Sequence, residues 1–106
     1  MDALTESVLK RENVALSVVR ALLGAVTPEI RRVGFALNGR SVQVLCVHEG
    51  SPSASLREAM NDVEGEISGD FAADVSVEAQ LVRIDAPASI EIEAVWVYAR
   101  KEVPKK

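Results

Sequence analysis

Few side chains in this sequence can do covalent chemistry. Cys46 is the only cysteine and His48 the only histidine. Two residues apart, they would project to the same side of a strand, the minimum for a thiolate–imidazole nucleophile pair. Neighbouring positions on one strand seldom give attack geometry, and the sequence offers no third group to orient them. A buried cysteine with a histidine at the strand's exposed end is the plainer reading. As metal ligands the two fall short of the roughly four that structural zinc takes. The carboxylates do not follow the alternating spacing of a calcium loop, and neither G-x-G-x-x-G nor a P-loop lysine motif occurs. No catalytic residue, metal or cofactor is expected.

What the chain holds in quantity is unneutralised acid. From Glu58 to Val82 there are seven carboxylates and no Lys or Arg. Glu58, Asp62 and Glu66 are spaced by four, which lines them along one face of a helix, and Asp70 continues the row beyond its end. Glu49 and Glu64 lie at the margin. Like charges at i,i+4 destabilise a helix by about a few tenths of a kcal/mol per pair, so folding does not reward this arrangement. The functional reading is a negative stripe presented to a basic surface. The plain reading is a solvated face that aids solubility.

The rest of the sequence is what must position that stripe. At 106 residues with 48% apolar and 26% charged side chains, the chain suits one globular domain, residues 1–106. Such a domain needs no disulfide, and one cysteine allows none within the chain. No apolar run approaches the roughly 20 residues that span a bilayer. The early acids of the N-terminus argue against a secretory signal, so a cytoplasmic location is expected. Net charge is −4; residues 100–106 carry +3 as a flexible basic tail, about 101–106, which leaves −7 on residues 1–99. A body of that sign is a poor match for nucleic acid and a good one for a basic partner.

Hydrophobic periodicity orders the elements. Leu4, Val8, Ala15, Val19 and Leu22, widened by Leu9, Leu16 and Leu23, give a helix over about Leu4–Leu23 that stops at Gly24 and Pro28. Ile30–Leu37 and Arg40–Val47 flank Asn38-Gly39, the signature of a tight type I′ hairpin. That turn sets Phe35 opposite Val42 and Val33 opposite Val44. Val33, Phe35, Leu37, Val42, Val44 and Cys46 then form the core face. Leu45 and Val47 fall on the other face and predict cover on both sides of that strand's end. A second helix over about Ala54–Ser68 is capped by Ser53, or by Ser55 with Glu58, and buries Leu56, Met60, Val63 and Ile67. Strands over about Val75–Ile84 and Ile90–Arg100 form a second hairpin, with Trp96 and Tyr98 in the core and Val95 and Val97 outside. The fold class is α+β in the order αββαββ: a four-stranded, mainly antiparallel sheet with two helices on one face.

Three stretches have a familiar ordering: Arg20-Ala21-Leu22-Leu23-Gly24 running into Val26-Thr27-Pro28-Glu29-Ile30-Arg31, then Gly69-Asp70-Phe71, then Trp96-Val97-Tyr98-Ala99-Arg100-Lys101-Glu102. From about Arg20 to Glu102 the chain resembles small bacterial immunity proteins encoded beside polymorphic toxins, including those of contact-dependent growth inhibition. In similar proteins a proline often follows the Asp-Phe pair; here Ala72 follows. The resemblance implies a non-enzymatic inhibitor that binds a toxin domain, often a nuclease, and covers its active or substrate-binding surface. It assigns no contact residues; Glu58, Asp62, Glu66 and Asp70, with Glu49 and Glu64 at the margin, are candidates by charge alone. The alternatives are a self-associating interaction module that dimerises through the outer sheet face, and a small thiol enzyme using Cys46. Neither a nucleic-acid nor a membrane partner is expected.

Overall fold

A computed structural model describes residues 9–102, so the expected helical positions Leu4 and Val8 and the tail beyond Glu102 lie outside the described residues. The elements are α1 (Arg11–Leu22), β1 (Ile30–Asn38), β2 (Ser41–His48), α2 (Ala54–Gly69), β3 (Ser76–Arg83) and β4 (Val95–Ala99). The class is α+β, with the expected order of elements and a four-stranded sheet.

The pairing is mixed, with two antiparallel strand pairs and one parallel pair, and the parallel pair corrects the second hairpin. The strand order is β3-β2-β1-β4. β1 pairs antiparallel with β2 and with β4, but β2 and β3 are parallel. A parallel neighbour needs a crossover, and α2 between β2 and β3 supplies it. β3 therefore takes one edge and leaves β4 the other. Residues 90–94 alternate as a strand would, yet they are unpaired and belong to the connection between the two edges.

Across the first hairpin Phe35 faces Val44, Val33 faces Cys46, and Asn38 faces Ser41. The two-residue turn is therefore Gly39-Arg40, displaced by one from Asn38-Gly39. Gly39 carries φ +62°, and no described non-glycine residue has a positive φ. A positive φ at the first central position only is the type II′ pattern. The register moves by two residues in sum, so every side chain keeps its face.

Both helices cover that face. Val14, Val18 and Ala21 of α1 and Leu56, Met60, Val63 and Ile67 of α2 pack with Val33, Phe35, Val42, Val44 and Cys46. The α2 stripe matches expectation residue for residue, and the Ser53 hydroxyl caps it by accepting from Leu56 N at 3.0 Å. The α1 stripe is rotated: Val14, Ser17, Val18, Ala21 and Leu22 are buried, whereas Leu16, Val19 and Leu23 are exposed. Leu45 and Val47 are buried as well, so β2 is covered on both faces as its pattern required.

β4 bulges against β1 between Val33 and Gly34. The bulge turns Val95 inward to join the core and sets Trp96 beside Gly34 on the outer face, contrary to the alternation read from sequence. The Arg32 guanidinium stacks 5.2 Å from the Trp96 ring centroid.

The end of the sheet is tied by buried Arg31. It donates to Glu102 at 2.7 and 2.9 Å and to the carbonyls of Ile84 and Ala88 at 2.9 Å each. The Arg31 hydrogen bond, partly opposed by desolvation, pushes the Glu102 carboxyl from its ordinary 4.5 down to about 2. A folded-state value below the unfolded one contributes stability in full above pH 4.5 and loses it as pH falls towards 2. The melting temperature of the wild type should therefore fall across that window, with a shallower slope in Glu102→Gln. Parallel slopes in a pH series of thermal melts would remove Glu102 from this role.

Candidate functional site

α2 places the acidic row. Because Leu56, Met60, Val63 and Ile67 are committed to the core, the helical period turns Glu58, Asp62 and Glu66 outward, and all three are exposed. None of the three has a hydrogen bond or ion pair among the described residues. They border a groove between α2 and the turn that follows α1, with Leu23, Ala25, Val26 and Thr27 on one side and Ser55 and Ala59 beside the carboxylates on the other.

The other candidate carboxylates are engaged within the chain. Asp70 accepts from Ser17 Oγ at 2.6 Å and from Arg20 Nη2 at 3.1 Å, and these bonds hold its carboxyl below the ordinary range. Glu64 lies on another side of α2 and accepts from the Ala79 backbone N–H at 2.9 Å, which satisfies a donor on the open edge of β3. Glu49 accepts from Arg100 at 2.9 Å and from the Ala86 N–H at 3.3 Å. Arg100, first through Glu49's bond to it, also lowers the Glu49 carboxyl. Glu58, Asp62 and Glu66 thus remain as one exposed row on the groove. Asp70 closes one end of the helix pair, and Glu49 and Glu64 hold other parts of the fold.

The Cys46–His48 pair lacks the features of a nucleophile. Cys46 is buried, and desolvation pushes its thiol up to about 12. His48 is buried too, rather than at an exposed strand end, and its Nδ1 has no hydrogen-bond partner among the described residues. A thiol so far above neutral carries almost no thiolate. Iodoacetamide at pH 8 should leave Cys46 unmodified in the native chain and alkylate it after denaturation, as read by mass. Rapid native labelling would reopen the thiol reading. Among the described residues no group of three or more His, Cys, Asp or Glu could hold a metal, and no helix is long and apolar enough to cross a membrane.

Two features are not legible in the sequence. Arg31 and Arg32 carry no local signal of their roles: one is a buried clamp and the other stacks on Trp96. The exposure of Leu16, Val19 and Leu23 is the other, because the helical period places these three in the apolar stripe and leaves out the buried Val14, Val18 and Ala21.

A protein-family model described as MafI2 immunity protein matches residues 11–102 of this chain. No curated protein matches it.

Proposed function

We infer, because this chain belongs to the MafI2 immunity protein family, that it protects the cell by binding a cognate toxin and covering the toxin's active or substrate-binding surface. Immunity against a toxin is what the family supports. The chemistry of the contact is our reading, and one observation carries it. Glu58, Asp62 and Glu66 stand on one face of α2 with no hydrogen bond or ion pair among the described residues, although α2 would be more stable without the repulsion. Intramolecular demand explains Asp70, Glu64 and Glu49, but not these three.

A basic toxin surface would supply the missing cations. Nucleases bind phosphates through Lys and Arg, so an acidic inhibitor suits a nuclease toxin. The inhibition is by occlusion, without catalysis, and it takes place in the cytoplasm, where a nuclease meets its substrate. Delivery of the toxin by contact-dependent growth inhibition fits this arrangement.

Co-expression is the test. Cells making the toxin domain should grow when this chain is present, and the purified chain should block nucleic-acid cleavage by the toxin in stoichiometric amounts. Failure to restore growth would remove the immunity reading for that toxin. Growth restored against a toxin that cuts no nucleic acid would keep immunity and discard the nuclease.

A further inference from the structure

Among the described residues the exposed large apolar side chains are Leu16 at 56%, Val19 at 42%, Leu23 at 77% and Val26 at 38%. All lie on α1 or in the turn that follows it. Leu16, Val19 and Leu23 repeat at three and four residues, so they share the face of α1 opposite Val14, Val18 and Ala21. A single exposed leucine needs no explanation, but a clustered set on so small a domain marks a contact surface. Leu23 and Val26 also line the groove bordered by Glu58, Asp62 and Glu66.

The geometry points to a two-part docking site in which an apolar side chain of the toxin seats on Leu23 and Val26 while basic side chains flanking it meet Glu58, Asp62 and Glu66. This rests on the reading above that the acidic face of α2 meets the toxin. It adds the kind of segment the toxin must offer: basic, with an apolar centre.

Charge separates this occupant from the others. A two-fold contact between copies of this chain, centred on the groove, sets three carboxylates against their own equivalents. Anionic membrane and nucleic-acid phosphate meet the same repulsion. A basic protein segment alone gains from both walls. The walls then divide the kinetics: the charges speed encounter, and the desolvated apolar seat slows escape.

The experiment follows association and dissociation of the toxin domain whose toxicity this chain relieves, at low and at physiological salt. Two variants are compared, Leu23→Ala with Val26→Ala, and Glu58→Gln with Asp62→Asn and Glu66→Gln. The first should raise the dissociation rate by about tenfold, as loss of an interface anchor does, with association and salt slope unchanged. The second should slow association and flatten its salt dependence. Both change exposed side chains, and thermal melts confirm that each variant folds. Wild-type dissociation in the apolar variant overturns the seat. If the acid variant still slows association, the reading of the acidic face survives that loss; if neither variant differs from wild type, both fall together. Sedimentation of the free chain adds one outcome: a dimer that Leu23→Ala dissolves would give the seat to a second copy and overturn the proposal.

Discussion

Replacing Glu58, Asp62 and Glu66 together by lysine should slow association with the toxin by about two orders of magnitude at low ionic strength, the scale at which focused charge accelerates encounter. The attraction of three carboxylates becomes the repulsion of three ammonium groups against the basic surface proposed for the toxin. The Debye length is about 10 Å at 0.1 M salt, so the difference should shrink as salt rises. The fold should be nearly indifferent. No intramolecular bond of these residues is broken among those described, and the i,i+4 repulsion between like charges persists with its sign reversed. Asp70→Lys is a poor substitute, since it would break the bonds to Ser17 and Arg20 and mix stability with binding. Stopped-flow association at several salt concentrations, with a thermal melt of each protein, reads both halves. Association unchanged at low salt would take the acidic row out of the interface.

Gly34→Ala should destabilise the fold by about 2 kcal/mol or more, the cost of overpacking a filled site. A Cβ at Gly34 would lie 2.6 Å from Trp96 Cε3 and 2.7 Å from the Val95 carbonyl oxygen. The ring cannot simply withdraw, because the bulge opposite Val33 and Gly34 fixes it there with Arg32 stacked on it. The carbonyl belongs to β4, which has only the five residues Val95–Ala99 with which to hold the edge of β1. For a domain of this size the loss corresponds to a fall in melting temperature on the order of 10 °C. Adding Trp96→Ala should recover part of it, because the ring contact is relieved while the carbonyl contact stays. A Gly34→Ala protein that melts with the wild type would show that Trp96 does not rest on Gly34. Its toxin association should be normal whenever it is folded, because Trp96 and the groove lie on opposite sides of the sheet.

The elements that read well from sequence were those with one dominant period. In α2 the core residues recur at three and four with only polar or small residues between them, so its buried face was unambiguous. In β1 and β2 the alternation of Val33, Phe35, Val42 and Val44 gives the core face even with the turn one residue away, since a sum shift of two preserves parity. Leu45 and Val47 break the pattern where β2 is covered on both sides. In α1, apolar residues occupy more than half the circumference. Two stripes fit the period, and only packing against β1 and α2 selects Val14, Val18 and Ala21 over Leu16, Val19 and Leu23. The partner of β3 was illegible for a different reason. A helix between two strands permits a crossover, and the Ile90–Glu93 alternation imitated a paired strand where the chain only travels between edges. The bulge that reverses Trp96 leaves no local signature apart from Gly34, whose need for a missing Cβ appears only with the ring above it.

The candidate site shows the same division. Spacing by four identified the row, and the family match bears out the resemblance to immunity proteins read from short motifs. Spacing says nothing about distant arginines, so it did not distinguish the open Glu58, Asp62 and Glu66 from Asp70, Glu49 and Glu64, whose partners come from elsewhere in the chain.

Site-directed crosslinking tests the central claim most directly, and the burial of Cys46, the only cysteine, makes it practical. A photo-crosslinker attached at Asp62→Cys, on the groove, is compared with one attached at Gln43→Cys, on the outer sheet face, each in complex with the toxin domain. The account predicts toxin captured from position 62 and none from position 43. Capture from position 43, with none from position 62, would place the toxin on the sheet and contradict it.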